Sequence, residues 1–146
     1  MDRGLPAART AYRHMLPMTT RFMDNDVFGH VNNVNYYSFF DTAVCQFLVG
    51  AGILSWPGAP HFMVVAESGC RYRTEIAFPD AVTAGLRIVR LGTSSVRYEI
   101  GIFRGDAVVA SAEGFLVHVC MDASTRRPAP LPDRWRQALT PLLMEG

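Results

Sequence analysis

The 146-residue sequence lacks several features that mark common classes of protein. No apolar run approaches the ~20 residues that a membrane-spanning helix needs, and no long apolar segment of the secretory-leader type lies near the first residues. The 14 basic and 13 acidic residues leave a net charge of +1. Proteins that bind nucleic acid or anionic membranes normally carry a larger and clustered basic excess. We therefore expect a cytoplasmic protein with neither a nucleic-acid nor a membrane partner.

Cysteine is also scarce, and its positions do not suggest a metal or redox site. No C-x-x-C pair occurs, and each cysteine has apolar neighbours, where free cysteine packs as a small core residue. The cysteines are Cys45, Cys70 and Cys120. His118 shows no metal-ligand spacing with His14 or His61 and falls on the apolar side of a predicted strand. We expect it to be a core histidine with its hydrogen bonds satisfied, and we predict no metal site.

Hydrophobic residues make up 49% of the chain, enough for one domain with a full core. Apolar residues recur at steps of three and four from Asn35 to Val49, which predicts a long helix that ends before Gly50. A strand at Thr19–Met23 precedes it, and Pro132 and Asp133 open a short helix near the end. Between the helices, alternating patterns predict four strands, at Phe62–Ile76, Val82–Leu91, Ser95–Phe103 and Ala107–Met121.

The order of these elements predicts an α+β fold. Successive strands with hairpin-length connections pair antiparallel, because parallel pairing requires long crossovers. A single antiparallel sheet of five strands would then curl around one apolar helix, with a short C-terminal helix outside it. Residues 18–146 are predicted to form one domain, and residues 1–17 a loose N-terminal tail.

The passage between the first strand and the long helix contains the residues best suited to chemistry. It reads D-x-D-x-x-G-H-V-N-N from Asp24 to Asn33. Either Asn32 or Asn33 is a natural N-cap, and the N–H groups of a helix start can stabilise negative charge on a carbonyl oxygen. A nearby carboxylate can act as nucleophile or general base. From the residues alone, simple capping and turn formation is the preferred interpretation.

This motif resembles that of the hotdog-fold acyl-CoA thioesterases of the 4-hydroxybenzoyl-CoA thioesterase family. An aromatic helix beginning near Tyr36 follows the motif, and Leu91–Val96 is similar to the family's G-x-S-S/T turn. The resemblance covers about Met18 to Met121. It implies a hotdog fold, thioester hydrolysis, and self-association as a homodimer or tetramer with active sites between subunits.

The resemblance also implies roles for single residues. Asp26 matches the catalytic carboxylate, and the backbone N–H of Asn33 matches the donor that polarises the thioester carbonyl. Gly29 would permit the turn that brings these two groups together, and His30 either orients water or substrate or packs at the dimer seam. Many hydrolytic members carry histidine where this chain has Asn33, which leaves the role of that side chain open. Asp24 is expected to support the loop through backbone hydrogen bonds, with catalysis by Asp24 as the alternative.

Further residues are candidates for contact with the acyl-CoA substrate, of which coenzyme A is a part, so that no separate cofactor is expected. Tyr36 lies on the aromatic helix, and Glu67 lies on a strand that runs beside the site in the family. For Glu67 an ion pair with Arg71 or Arg73 on a solvated strand face is the preferred interpretation. The candidates for binding the coenzyme A phosphates are Arg90, Thr93, Ser94 and Ser95.

The expected activity is hydrolysis of a small or medium acyl or aryl thioester to the free acid and coenzyme A. The sequence does not distinguish a covalent anhydride on Asp26 from direct attack by water. Hydrolysis of an acyl-carrier-protein thioester remains an alternative, as does a hotdog protein that only binds acyl-CoA. Hotdog hydratases pair an aspartate with a histidine on a differently placed motif, which is absent here.

Overall fold

The computed structural model of the chain describes residues 4–53 and 58–144. The first strand, β1, spans His14–Thr19 and precedes the long helix α1, Asn33–Gly50. Four strands follow, β2 at His61–Tyr72, β3 at Ala81–Leu91, β4 at Ser95–Arg104 and β5 at Ala112–Asp122. A short helix, α2, spans Asp133–Leu139, and single 3-10 turns lie at Arg9–Ala11, Phe22–Asp24 and Thr140–Leu142. The order of strand, long helix, four strands and short helix is the predicted one.

The five strands form one antiparallel sheet in the order β1-β3-β4-β5-β2. Strands β3, β4 and β5 pair as successive hairpins, as predicted. Strand β2 pairs with β5 and not with β3, with His61 opposite Asp122 and Tyr72 opposite Ala112. Between β2 and β3 the chain therefore crosses from one edge of the sheet to the strand next to the opposite edge. In the described residues β1 and β2 are the two edge strands.

Helix α1 packs across one face of the sheet, here called the inner face. Phe40, Val44 and Leu48 are completely buried, and burying a side chain of this size stabilises the fold by about 1.5–3 kcal/mol. The absence of a side chain at Gly114 of β5 permits this close packing, because a Cβ there would lie 2.3 Å from the ring of Phe40. The buried residues of the helix follow the predicted steps of three and four: Tyr36, Phe39, Phe40, Ala43, Val44 and Leu48.

The predicted N-terminal tail is wrong for the residues that the structure describes, while residues 1–3 lie outside them. The ring of Tyr12 is buried on the outer face of the sheet, edge-on to Phe103 at 5.7 Å. It fills the space above Gly85 and Gly101, where a Cβ would come within 2.7 Å of the ring. Side-chain-free positions in the sheet thus create a binding site for this segment, which the composition of residues 1–17 does not reveal.

The same segment explains two wrong strand boundaries. Strand β1 begins at His14 and ends at Thr19, so the predicted strand at Thr19–Met23 is displaced and Phe22–Asp24 is a 3-10 turn. Strand β5 begins at Ala112 and not at Ala107. The preceding residues bind the N-terminal segment, since Arg9 N–H donates to the Val108 carbonyl at 2.8 Å and Ala110 N–H donates to the Ala7 carbonyl at 2.9 Å.

Two polar side chains are buried together between α1 and the sheet. The ring of His118 on β5 meets that of Tyr98 on β4 edge-on at 5.5 Å. Within the described ranges neither the Tyr98 hydroxyl nor His118 Nδ1 has a hydrogen-bond partner. His118 is therefore the predicted core histidine, but its hydrogen bonds are not all satisfied. Burial lowers the pKa of His118 from its usual value to about 4, so the side chain is neutral at pH 7.

This histidine should make the stability of the fold depend on pH. The unfolded chain takes up the proton at a pH near 6.5, whereas the folded chain takes it up near 4. Unfolding is therefore coupled to proton uptake between these values, and stability falls as the pH falls through that window. We expect His118→Phe, which keeps an aromatic ring, to gain up to about 3 kcal/mol relative to wild type between pH 7 and pH 4. Urea unfolding at pH 7, 5.5 and 4 measures this, and parallel pH curves for the two proteins would contradict it.

Candidate active site

The loop between β1 and α1 is anchored by the buried carboxylate of Asp24. This side chain is only 1% exposed and accepts the backbone N–H of Arg21 at 2.7 Å and the Arg21 guanidinium at 2.9 and 3.1 Å. Its backbone carbonyl accepts the N–H of Asn32 at 2.8 Å and the side-chain amide of Asn35 at 2.9 Å. The expectation that Asp24 supports the loop through hydrogen bonds is confirmed.

Of the first three backbone N–H groups of α1, a single one is available to a ligand. Asn32 is the N-cap, and its side chain accepts the N–H of Val34 at 3.3 Å. Its backbone carbonyl accepts the N–H of Asn35 at 2.9 Å. Asn33 is the first helical residue, and its N–H has no acceptor inside the helix because of the helical geometry. The Asn33 N–H, which the resemblance implies as the donor to the thioester carbonyl, is therefore the one that the Asn32 cap does not bind.

Asp26 lies in a tight turn closed by Gly29. The carbonyl of Asp26 accepts the N–H of Gly29 at 3.1 Å. The N–H of Asp26 donates to the carbonyl of His30 at 2.9 Å. Gly29 has φ +86°, a left-handed conformation that favours glycine. The N–H of Phe28 donates to Asp26 Oδ1 at 2.9 Å, which fixes the direction of the carboxylate. Among the described residues Oδ2 accepts no hydrogen bond, so it is available to a ligand.

Asp26 and the first residue of α1, Asn33, line one cavity of about 380 Å³. His30 lies at its edge, with Nε2 2.9 Å from a carboxylate oxygen of Glu75. Burial raises the pKa of Tyr36 in the cavity wall to about 12, so this phenol stays protonated. The lining residues come from the loop, from α1 and from the end of β2 with the residues after it: Asp26, Phe28, His30, Val31, Asn33, Tyr36, Tyr72, Arg73, Thr74 and Glu75.

The end of β2 and the residues after it form a part of the cavity wall that the sequence analysis did not identify. The hydroxyl of Tyr72 donates to the Asn33 carbonyl at 3.1 Å, and its ring meets that of Tyr36 edge-on at 5.1 Å. The N–H of Val31 donates to the Ile76 carbonyl at 2.7 Å. These contacts join the loop to a segment about 40 positions away in the chain, and no motif marks Tyr72 or Glu75 in advance.

Other predicted substrate residues do not reach this cavity within one chain. Ser95 pairs with Val119 of β5, whereas Tyr72 pairs with Ala112, so the two lie about 23 Å apart along that strand at ~3.3 Å per residue. Arg90, Thr93 and Ser94 lie at the same distant end of the sheet as Ser95.

Two of these predictions can be described more closely. The Gly92 and Thr93 carbonyls accept hydrogen bonds from Arg136 Nη2 at 2.7 and 3.3 Å. Glu67 is exposed in the middle of edge strand β2. Arg73, one of the two partners expected for it, contacts Glu113 through Nε at 3.3 Å.

A larger cavity, of about 720 Å³, lies between β1 and the other side of α1. Its lining includes neither Asp26 nor the first turn of the helix, so its size alone does not make it a reaction site. Within residues 4–53 and 58–144, no group of three potential metal-binding side chains is found, and no helix is long and apolar enough to cross a bilayer.

Comparison with known proteins identifies the family of the chain. Residues 20–139 match the thioesterase-like superfamily. The structure is similar to that of the PA5185 protein from Pseudomonas aeruginosa strain PAO1, with 42% identity, a TM-score of 0.91, and coverage of 95% of this chain and 97% of that one. The chain is also 26% identical over 116 residues to the long-chain acyl-CoA thioesterase FadM of Escherichia coli, covering 78% of this chain and 87% of FadM.

A more distant structure shares the fold. The 1,4-dihydroxy-2-naphthoyl-CoA thioesterase from Synechocystis superposes with a TM-score of 0.78 at 18% identity, covering 86% of this chain and 94% of that one. The predicted hotdog fold, a five-stranded antiparallel sheet around one long helix, is thereby confirmed. The chain belongs to the thioesterase-like superfamily, and it is a thioester hydrolase.

The positive φ of Gly29 leads to a testable prediction. An added Cβ would meet no atom within 4 Å, so the cost of Gly29→Ala comes from the backbone alone and should be about 1–2 kcal/mol. Gly50→Ala is the matched control, because its Cβ also meets no atom within 4 Å but its φ is not positive. We expect the control to be neutral or stabilising in urea unfolding. Equal stability of the two variants would contradict the role of Gly29.

Proposed function

We propose that the protein hydrolyses the thioester bond of an acyl-CoA, with Asp26 as the reacting carboxylate and the Asn33 N–H as the donor to the carbonyl oxygen. The observation that carries this proposal is the convergence of these two groups on one cavity. Asp26 Oδ1 is fixed by the Phe28 N–H, and Asn32 caps the next N–H groups but not that of Asn33. Membership of a thioesterase superfamily supports the same reaction.

The reaction begins when the thioester carbonyl oxygen accepts the N–H of Asn33. The positive end of the α1 dipole then stabilises the negative charge that develops on this oxygen. In one route Asp26 attacks the carbonyl carbon, the carbon–sulfur bond breaks, and water hydrolyses the resulting anhydride. In the other route Asp26 takes a proton from water, which attacks the carbon directly. Both routes consume one water and release a carboxylic acid and coenzyme A, and neither requires a further cofactor.

The acyl group faces aromatic side chains in the proposed complex. Phe28, Tyr36 and Tyr72 line the cavity around Asp26, and its volume of about 380 Å³ lies at the lower end of the range for small-molecule sites. We therefore propose a small or medium acyl or aryl group as the substrate moiety. A carrier protein in place of coenzyme A is the alternative, because the groups at the reacting carbon would be the same.

We further propose that two copies pair along their β2 edges. Residues 64–68 of this twelve-residue edge strand are all exposed, including Val64 and Val65, and a long exposed edge with apolar side chains is a template for strand pairing. Antiparallel pairing about a two-fold axis would place the Tyr72 end of one β2 beside the His61 end of the other. The Thr93–Ser95 turn of the partner subunit, which lies toward that end, would then approach the Asp26 cavity.

Replacement of Asp26 by asparagine tests the proposed chemistry. The exchange preserves the size of the side chain and removes its charge, so we expect kcat to fall at least ~100-fold with the fold intact. Thiol release would be measured over acyl-CoA substrates from short to long chains and aryl groups, with one acyl group also offered on acyl-carrier protein. Asp133→Asn, an exposed aspartate at the start of α2, is the control and should match wild type.

The possible results separate the proposals. Hydrolysis by Asp26→Asn at the wild-type rate would move the chemistry to another residue. A wild type that is silent on every substrate would contradict acyl-thioester hydrolysis itself. Faster hydrolysis of the carrier-protein thioester would favour the alternative carrier.

A charge on the β2 edge tests the proposed pairing. We expect Val65→Lys to halve the molecular mass measured by light scattering and to reduce hydrolysis at least ~10-fold, because the partner's turn would leave the cavity. Val108→Lys is the control, since Val108 is 73% exposed in the β4–β5 connection. A wild type that is monomeric and fully active would contradict the paired arrangement.

A further inference from the structure

We propose that Tyr72 is a positioning residue, whose hydroxyl holds the first turn of α1 so that the Asn33 N–H points at the substrate carbonyl. This inference rests on the proposed function of that N–H. No sequence motif marks Tyr72, and it lies outside the loop and the helix that carry Asp26 and Asn33. The warrant for this inference is the hydrogen bond of 3.1 Å from the Tyr72 hydroxyl to the Asn33 carbonyl.

The first turn of the helix is held by several bonds, and most of them are local. The Asn32 carbonyl accepts the Asn35 N–H at 2.9 Å, and the Asn32 side chain accepts the Val34 N–H at 3.3 Å. The Asn32 N–H is bound to the Asp24 carbonyl at 2.8 Å. All of these partners belong to the loop or to the helix itself. Outside this local set, the Val31 N–H just before the helix is bound to the Ile76 carbonyl at 2.7 Å, and the buried face of α1 packs on the sheet further along the helix.

Tyr72 adds a direct bond between a strand of the sheet and the first helical residue. It is the last residue of β2 and pairs with Ala112 of β5. Its ring packs edge-on against that of Tyr36 at 5.1 Å, which sets the direction of the hydroxyl toward Asn33. Burial, together with the neighbouring Cys70 and Tyr37 side chains, raises the pKa of the Tyr72 phenol, so the hydroxyl stays protonated.

This arrangement differs from a contact with the substrate. A residue that binds the acyl group equally in the ground state and transition state would change KM. A residue that only orients the Asn33 N–H acts where charge develops on the carbonyl oxygen, so its loss should lower kcat and leave KM near its wild-type value. Misdirection of the donor at the helix start, with the ring still in place, should lower kcat about tenfold.

Tyr72→Phe tests the inference because it keeps the ring against Tyr36 and removes only the hydroxyl. Thiol release gives kcat and KM on the best substrate of the wild type, and amide NMR of the labelled protein follows the Asn33 signal. Tyr98→Phe is the matched control, since it removes a hydroxyl buried far from the cavity, without a hydrogen-bond partner in the described ranges. We expect about tenfold lower kcat, KM within about twofold and a shifted Asn33 amide for Tyr72→Phe only.

Wild-type kcat in Tyr72→Phe would overturn the inference. A rise in KM with an unmoved Asn33 amide would also overturn it, because Tyr72 would then act on the substrate and not on the helix start. An inactive wild type would instead count against the proposed function. In that case the Asn33 amide still decides about Tyr72, since an unchanged signal rejects the hold on the first turn and a shifted one supports it.

Discussion

Asp24 is a buried charge, and its burial ties three parts of the chain together. An unpaired carboxylate at 1% exposure would be strongly destabilising, and the bonds from Arg21 prevent that cost. The carbonyl of Asp24 at the same time accepts from Asn32 and Asn35. The exit of the first strand, the Asp26 turn and the first turn of α1 are therefore held in one arrangement. The loop side of the cavity depends on this arrangement, and the bonds of Val31 to Ile76 and of Tyr72 to Asn33 then join it to the opposite wall.

Much of the fold follows from short-range patterns. The apolar spacing of α1 identifies its buried face because a helix repeats every 3.6 residues, and the structure buries Phe40, Val44 and Leu48 as that pattern requires. The pairing of β2 with β5 does not follow in this way. Alternation along a strand tells which face is apolar, and it carries no information on which neighbour the strand selects. The position of the N-terminal segment is hidden for a similar reason, since Tyr12 binds to glycines more than 70 residues away.

The candidate site likewise has a part that short-range patterns predict and a part that they do not. The residues between Asp24 and Asn33 could be predicted because turn and capping chemistry is local, and Gly29 and Asn32 adopt the conformations that such chemistry implies. Tyr72 and Glu75 could not be predicted, because a tyrosine in a strand or a glutamate in a connection looks like any other. Their importance arises only when the end of β2 is laid over the loop. The turn at Ser95 is the opposite case. Its motif is recognisable in the sequence, but within one chain the turn lies far from the cavity.

The strand order also has a consequence for synthesis. Chains emerge from the ribosome N-terminus first, so β2 is complete before β3, β4 and β5 exist. Its neighbour in the sheet is β5, the last of the strands. Until β5 emerges, the valines and the unpaired backbone of β2 can pair with other nascent chains. The folding of this protein thus includes an interval in which strand β2 has no neighbour along either of its sides.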